Sequence, residues 1–93
     1  MAAKPKPEVQ KMVSDVIALL DEVIADRSVP RNIRGQVEES KKKIESGIND
    51  PVNFGSAIYF LDDICNDINM PSHTRTEIWS LISQIEAIKE KMK

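Results

Sequence analysis

The 93-residue sequence predicts an all-α fold, an antiparallel up-and-down four-helix bundle formed by two repeated helical hairpins. Three observations predict this fold. Apolar residues recur at steps of three and four, and no segment alternates with period two for long enough to make a strand. Prolines 30, 51 and 71 each stand where a helix can begin, because the first helical turn tolerates a missing N–H. The chain also matches itself when it is shifted by 41 residues.

The internal match divides the chain into two similar halves. The segment LLDEVIADRSVPRNIRGQV (19–37) lies on FLDDICNDINMPSHTRTEI (60–78) without a gap. The identical pairs include Leu20 and Leu61, Asp21 and Asp62, Asp26 and Asp67, Pro30 and Pro71, and Arg34 and Arg75. A hairpin of about 40 residues cannot bury its own apolar face, whereas two copies can cover each other. We therefore expect a flexible tail at 1–7 and one four-helix domain at 8–93, with repeat 1 at about 8–48 and repeat 2 at about 49–93.

The first hairpin combines a wide apolar stripe with a narrow one. Helix 1 is predicted from about Glu8 to Ala25, and its apolar residues spread over an arc of roughly 160°, which is typical of deep burial. Helix 2 is predicted to begin at Val29 or Pro30 and to end near Ser46, with Gly47 as the stop signal. Its apolar stripe consists of Ile33, Val37 and Ile44.

The second hairpin repeats this plan. Helix 3 is predicted to begin at Asp50-Pro51, a capping carboxylate followed by proline, and its apolar face to extend to Ile68. Helix 4 is predicted from about Met70-Pro71 to Lys91, with the alternating apolar steps that form the seam of an antiparallel bundle. Because the connections are only a few residues long, consecutive helices should run antiparallel.

Each hairpin turn carries the same polar residues, and we predict that they form a structural clasp. An acid ends the first helix, and a Ser or Asn two residues later caps the next one. A proline opens that next helix, and an arginine one turn further on reaches back to the acid. The clasp residues are Asp26, Ser28, Pro30 and Arg34 in the first turn, and Asp67, Asn69, Pro71 and Arg75 in the second.

The composition excludes several classes of protein. A net charge of −2 and a pI near 5.4 argue against a dedicated nucleic-acid binder. One cysteine, Cys65, allows neither an internal disulfide nor a thiolate metal cage. No stretch approaches the roughly 18 apolar residues of a membrane-spanning helix, and the N-terminus lacks the apolar core of a signal peptide. We expect a cytoplasmic protein without membrane contact.

Helix 2 is nevertheless basic, and two interpretations remain open. The basic residues can form a phosphate-binding face for nucleic acid. They can equally face the acids of helix 1, the expected antiparallel neighbour. The candidate phosphate contacts are Arg27, Arg31, Lys41, Lys42 and Lys43. No glycine-rich phosphate loop or aromatic stacking platform accompanies them, which favours the second interpretation.

Three aromatic residues of the second hairpin are candidates for a partner surface. Tyr59 lies well off the apolar arc of its helix, and Phe60 and Trp79 lie at the flanks of theirs. Exposed aromatic residues often mark interfaces. They can equally cover the edge of the bundle, so a protein partner, a homodimer and a purely structural role all remain open.

No constellation of catalytic or metal-binding residues stands out. The acids around Asp67 resemble a cluster of hard oxygen ligands, but they lack the spacing and glycine of a calcium-binding loop, and their counterparts around Asp26 favour a structural role. Cys65 lies on the apolar stripe of helix 3, and a catalytic pair with His73, the single histidine, would still need an orienting acid. We therefore predict no catalytic residue, no metal and no cofactor.

Three segments resemble a known archaeal family. AIYFLDDICNDINMPSHTRTEIW (57–79), VPRNIR (29–34) and SQIEAI (83–88) are similar to uncharacterised protein family 0147, UPF0147. The resemblance implies an archaeal cytoplasmic protein with an all-helical fold. It implies no activity, and it carries no functional residues over to this chain.

Taken together, these features predict a small non-enzymatic module for protein interaction or structure, acting alone or as a homodimer. The alternative is weak nucleic-acid binding through helix 2. An enzyme is the least supported class.

Overall fold

The computed structural model describes residues 7–47 and 50–92, and all regular structure in these two ranges is helical. The four helices are α1 (Pro7–Ala25), α2 (Arg31–Ser46), α3 (Pro51–Ile64) and α4 (Ser72–Lys91). Helix α1 packs against α2 and α4, and α3 packs against the same two helices. The prediction of an all-α fold with four helices is confirmed.

The helix starts differ slightly from the predicted ones. Pro7 was expected in the tail but is the first residue of α1, where proline's fixed φ suits the opening turn. Residues 1–6, the rest of the expected tail, lie outside the described residues. Helices α2 and α4 begin one residue after their prolines, because Pro30 and Pro71 are extended N-cap residues, with ψ of 148° and 145°. Asp50 caps α3 as predicted, and its carboxylate accepts a hydrogen bond from Val52 N at 2.9 Å.

Helix α3 ends earlier than the apolar pattern predicted. Its last residue is Ile64, so Ile68 does not lie on the helix and is 91 % exposed. The reason is local: the Asp67 carbonyl accepts from Met70 N at 3.2 Å and its carboxylate from Asn69 N at 2.8 Å. These two bonds favour a tight turn over continued helix.

Helix α2 ends at Ser46, as Gly47 indicated, but not through a left-handed glycine. Gly47 has a φ of −163°, which is ordinary extended backbone. Its lack of a side chain instead leaves room for the amide of Asn53, which donates to the Gly47 carbonyl at 3.4 Å. A Cβ at this position would collide with that amide.

The core is built from the same positions in both halves of the chain. Nine buried residues of the first half each have a buried counterpart 41 residues later. The pairs are Val13 and Phe54, Val16 and Ala57, Leu20 and Leu61, Val23 and Ile64, Val29 and Met70, Ile33 and Thr74, Val37 and Ile78, Ser40 and Leu81, and Ile44 and Ile85. The sequence repeat is therefore also a repeat of burial.

Candidate functional site

In the two turns between paired helices, an aspartate accepts the same two hydrogen bonds from backbone N–H groups. Asp26 Oδ1 accepts from Ser28 N at 2.9 Å, and Asp67 Oδ1 accepts from Asn69 N at 2.8 Å. The Asp26 and Asp67 carbonyls each accept, at 3.2 Å, from the N–H three residues later. Each turn thereby directs a buried residue, Val29 or Met70, into the core before the next helix begins.

Ser28 and Asn69 do not cap the helices as expected. The N-cap residues are Pro30 and Pro71, and neither helix has a side-chain cap. The Ser28 hydroxyl instead donates to Asp26 Oδ1 at 2.7 Å. The buried Val29 or Met70 separates Ser28 or Asn69 from the first turn of the next helix. The side chain of Ser28 or Asn69 therefore remains part of the connecting turn.

The arginines of the turns also differ from expectation. Arg75 does not bind the Asp67 carboxylate: its Nε donates to the Cys65 carbonyl at 3.2 Å and its Nη2 to the Asp67 carbonyl at 3.0 Å. These carbonyls follow the end of α3, where unpaired acceptors attract a cation. Arg34 holds the equivalent place in the first turn, but its buried Nε has no hydrogen-bond partner.

Two contacts that the sequence did not predict connect the turns to the opposite hairpins. Asn32 Nδ2 donates to Asp67 Oδ2 at 3.1 Å, and His73 Nε2 lies 3.4 Å from Asp26 Oδ2. Asn32 and His73 are themselves 41 residues apart, so each hairpin offers the same position to the acid of the other. The hydrogen bonds from Ser28, followed by His73, hold the pKa of Asp26 below its usual value.

The basic residues proposed as phosphate contacts do not share one surface. Lys41 binds Asp21 of α1 at 2.6 Å, which raises the pKa of Lys41, and Lys42 lies 3.8 Å from Glu39. Because helical neighbours are 100° apart, Lys41, Lys42 and Lys43 span about 200° around α2. Arg27 and Arg31 are exposed at the first turn and at the start of α2.

The three candidate aromatic residues are exposed to different degrees. Tyr59 is 72 % exposed and Trp79 is 55 % exposed, whereas Phe60 is half-buried. The Tyr59 and Phe60 rings meet edge to face, with centroids 6.4 Å apart and planes at 72°. Val52, which was not among the predicted surface residues, is 70 % exposed and lies seven residues before Tyr59. Its spacing from Tyr59 is the signal that would have identified it.

A groove of about 400 Å³ runs between α3 and α4, with Gly55 and Ile58 on one side and Glu86, Ala87, Lys89 and Glu90 on the other. Positions three and four apart share a helix face, so further residues can be placed beside it. The α3 residues on this side are Val52, Gly55, Tyr59 and Asp62, and the α4 residues are Trp79, Ile82, Glu86 and Glu90. Ile58 of α3 and Ile82 of α4 are partly buried, and both pack against the core. We call this surface the α3–α4 face.

The described residues give little support to catalysis or metal binding. Cys65 is half-buried, and burial foremost, with the nearby Asp62, raises the pKa of its thiol. A raised pKa leaves less of the reactive thiolate. Within residues 7–47 and 50–92, no three His, Cys, Asp or Glu side chains are grouped as a metal site requires. None of the four helices described is long and apolar enough to cross a lipid bilayer.

Within the described residues, the fold and its turns define a small all-α protein with four helices. The chain belongs to Uncharacterised protein family UPF0147, whose model matches residues 2–88. The resemblance seen in the sequence is thus confirmed. A UPF0147 protein of Methanocaldococcus jannaschii is 44 % identical over 89 residues, covering 95 % of this chain and 94 % of the relative.

Two crystal structures have a similar fold. A protein of unknown function superposes with a TM-score of 0.80 at 37 % identity, covering 91 % of this chain and 96 % of that one. A UPF0147 protein from Thermoplasma acidophilum superposes with a TM-score of 0.79 at 36 % identity, covering 87 % and 98 % of the two chains. Neither of these relatives has a stated activity.

Proposed function

We propose that this chain is a small, cytoplasmic, non-enzymatic protein-interaction module, and that it binds its partner through the α3–α4 face. One observation carries the proposal. The second hairpin exposes large apolar side chains at positions where the equivalent residues of the first hairpin are polar or small.

The two hairpins act as controls for each other. Val52, Tyr59, Ile68 and Trp79 of the second hairpin correspond to Lys11, Ala18, Arg27 and Glu38 of the first. Both hairpins contribute the same nine positions to the core, so the fold does not need apolar residues at these outer positions. Exposing large apolar side chains in water is unfavourable and often marks an interaction surface. A binding partner that covers them accounts for their presence.

The proposal includes the architecture, an antiparallel up-and-down bundle made by duplication of one hairpin. Lys91 at the end of α4 binds Glu8 at the start of α1 at 2.8 Å, while His73 at the start of α4 lies beside Asp26 after the end of α1. Helices α1 and α4 therefore run in opposite directions. The exchanged contacts of Asn32 and His73 support a two-fold relation between the hairpins.

Nucleic-acid binding through α2 has weaker support. Two of its lysines already have acidic neighbours, and Arg31 on its outer side shares a stripe with Glu38. A phosphate-binding face would need cations collected on one side. Titration of labelled RNA and DNA at about 50 mM salt should detect no binding, whereas salt-sensitive binding lost in Arg31→Ala/Lys42→Ala would favour this alternative.

An affinity experiment with matched variants tests the proposed interaction. The immobilised chain is compared with Tyr59→Ala/Trp79→Glu, which introduces the first hairpin's residues at two exposed positions. A control, Lys11→Ala/Glu38→Ala, alters the corresponding side of the first hairpin. We expect a protein from cell extract to be retained by the wild type and the control but lost from the first variant. Retention by all three, or by none, contradicts the proposal.

A further inference from the structure

The α3–α4 face has an apolar floor that the first hairpin lacks. Ile58 lines the groove, and Ile82, on the same side of α4, packs against the core next to it; the counterpart of Ile82 in the first hairpin is Lys41. Gly55 contributes no side chain to the α3 wall, and a Cβ there would approach only Lys89 Nζ, at 3.7 Å. The groove is therefore open above its apolar residues. An apolar side chain of a partner can enter it and bury surface against the two isoleucines.

An acid on the α3–α4 face differs in its ion pairing from the equivalent acid of the first hairpin. Asp21 and Asp62 are equivalent, and Lys41 of α2 binds Asp21 at 2.6 Å. In the second hairpin isoleucine replaces that lysine, and Asp62 has no ion pair within the described residues. Helix α3 contains no lysine or arginine, and the Arg75 guanidinium is already bound to two carbonyls. A cation brought by a partner can take the place beside Asp62 that Lys41 takes beside Asp21.

The size of the face limits what can occupy it. Helix α3 has 14 residues, which at 1.5 Å per residue makes it about 21 Å long. Two helices packed at the usual spacing of roughly 9 Å present a surface about 18 Å wide. This projected area of roughly 400 Å² is about half the area per partner of a standard stable interface. It suits one helix lying along the groove better than a second copy of the whole bundle.

We infer that the α3–α4 face binds a basic amphipathic helix of another protein. The partner helix places apolar side chains over Ile58 and Ile82, and a lysine or arginine beside Asp62. Helical spacing puts Tyr59 and Trp79 on the same side of α3 and α4 as the groove, and their exposed rings can pack against the aliphatic stems and charged heads of such residues. This inference rests on the proposed interaction function and specifies the partner's chemistry.

A selection from random peptides tests the inference without knowledge of the natural partner. Phage displaying random 16-residue peptides are selected on the immobilised full chain, after removal of those that bind the bare support. We expect enriched peptides with apolar residues at steps of three and four and an excess of lysine and arginine. The best peptide, made synthetically, should gain helical circular dichroism on binding. Its affinity for Tyr59→Ala/Trp79→Glu should be at least about tenfold lower.

Two further variants test the predicted charge pairing. Asp62→Asn should weaken binding of the best peptide and reduce its sensitivity to salt, because one screened ion pair is removed. Asp21→Asn, the matched control in the first hairpin, should leave the affinity unchanged. Ile82→Lys copies Lys41 into the groove and should abolish binding, and circular dichroism checks that it folds. If Ile82→Lys does not fold, the exposed Tyr59→Ala/Trp79→Glu variant still decides the outcome.

The other outcomes separate this inference from the general proposal. Enrichment of acidic or extended peptides that still require Tyr59 and Trp79 overturns the basic helix but keeps an interaction face. A dimer in sedimentation equilibrium that Trp79→Glu dissociates makes a second copy the occupant and also overturns the basic helix. Failure to enrich any peptide, or enrichment of peptides that bind all variants equally, counts against both proposals.

Discussion

The two hairpins of this protein share their interiors and differ on their outer faces. Inside, nine positions are buried in both halves, and in each turn the carboxylate of Asp26 or Asp67 accepts a hydrogen bond from the N–H two residues later. Outside, the first hairpin joins its helices with the Lys41–Asp21 ion pair, whereas in the second Ile82 stands at the position of Lys41 and Asp62 has no ion pair within the described residues. Packing thus keeps the repeat at nine buried positions, although buried Val9 and Ile88 correspond to exposed Asp50 and half-buried Gly47. Exposed positions are free of that constraint, and four of them carry a large apolar side chain only in the second hairpin.

The largest expected effect tests whether equivalent core positions of the two hairpins contribute equally to the free energy of unfolding. Leu20 and Leu61 are equivalent and fully buried. Leu20→Ala and Leu61→Ala should each lower the free energy of unfolding by about 2–5 kcal/mol, through lost apolar burial and the cavity left behind. Urea denaturation followed by circular dichroism measures both. A marked difference between the two would show that the halves pack equally but do not contribute equally to stability.

A smaller effect is expected where a buried position differs between the halves. Thr74 is fully buried and corresponds to Ile33, and its hydroxyl has no hydrogen-bond partner in the part of the chain that the structure describes. Thr74→Val removes that unpaired group at nearly constant volume and should stabilise the fold by about 1–3 kcal/mol. Ser40→Ala is the control, because the Ser40 hydroxyl donates to the Gln36 carbonyl at 3.1 Å. It should be neutral or destabilising by about 1 kcal/mol, and equal gains from both variants would contradict the assignment.

The second turn should lose stability when its acid is removed. Asp67 accepts from Asn69 N within its own turn and from Asn32 of the other hairpin. Asp67→Ala removes both bonds and should cost about 1 kcal/mol in the free energy of unfolding. The double variant Asn32→Ala/Asp67→Ala separates the two contributions. If Asn32→Ala alone has no effect, the contact between hairpins adds nothing to stability.

The smallest effect concerns the pH dependence of the first turn. Asp26 has a pKa below its ordinary value of 3.8, chiefly because Ser28 donates two hydrogen bonds to its carboxylate. A pKa depressed by folding contributes stability above the unfolded-state value, and this contribution is lost as the pH falls through the folded-state value. Asp26→Asn should therefore be less stable than the wild type near neutral pH, with the difference shrinking below about pH 4. A difference in the free energy of unfolding between the two proteins that stays constant from about pH 7 to about pH 2 would exclude this contribution of the Asp26 carboxylate.

Much of this fold could be predicted because local signals agreed with one another. The apolar steps, the prolines and Asp50 fixed the four helices to within a few residues. The end of α3 was misplaced because Ile68 continues the apolar spacing, whereas the Asp67 hydrogen bonds stop the helix. Ser28 and Asn69 were misjudged as caps because residue type alone does not say how many extended residues precede a helix.

The candidate site was only partly predictable. Tyr59 and Trp79 were identified by their distance from the apolar arcs, but Val52 was missed, and nothing local indicated a groove between α3 and α4. Phosphate binding by Lys41, Lys42 and Lys43 stays a prediction, whereas the Lys41–Asp21 ion pair agrees with the favoured expectation that basic residues of α2 face the acids of α1. The two exchanged contacts, Asn32 with Asp67 and His73 with Asp26, join residues 35 and 47 positions apart.

The sequence alone was enough to predict the four helices and the spacing of the core positions, because periodicity and proline act between residues close along the chain. The pairing of charges, the partners of the turn acids and the exposure of apolar side chains could be learned only from the folded chain. Those outcomes depend on distances between helices that are remote in sequence, as shown by Asp21, which binds Lys41, and Asp62, which has no ion pair within the described residues.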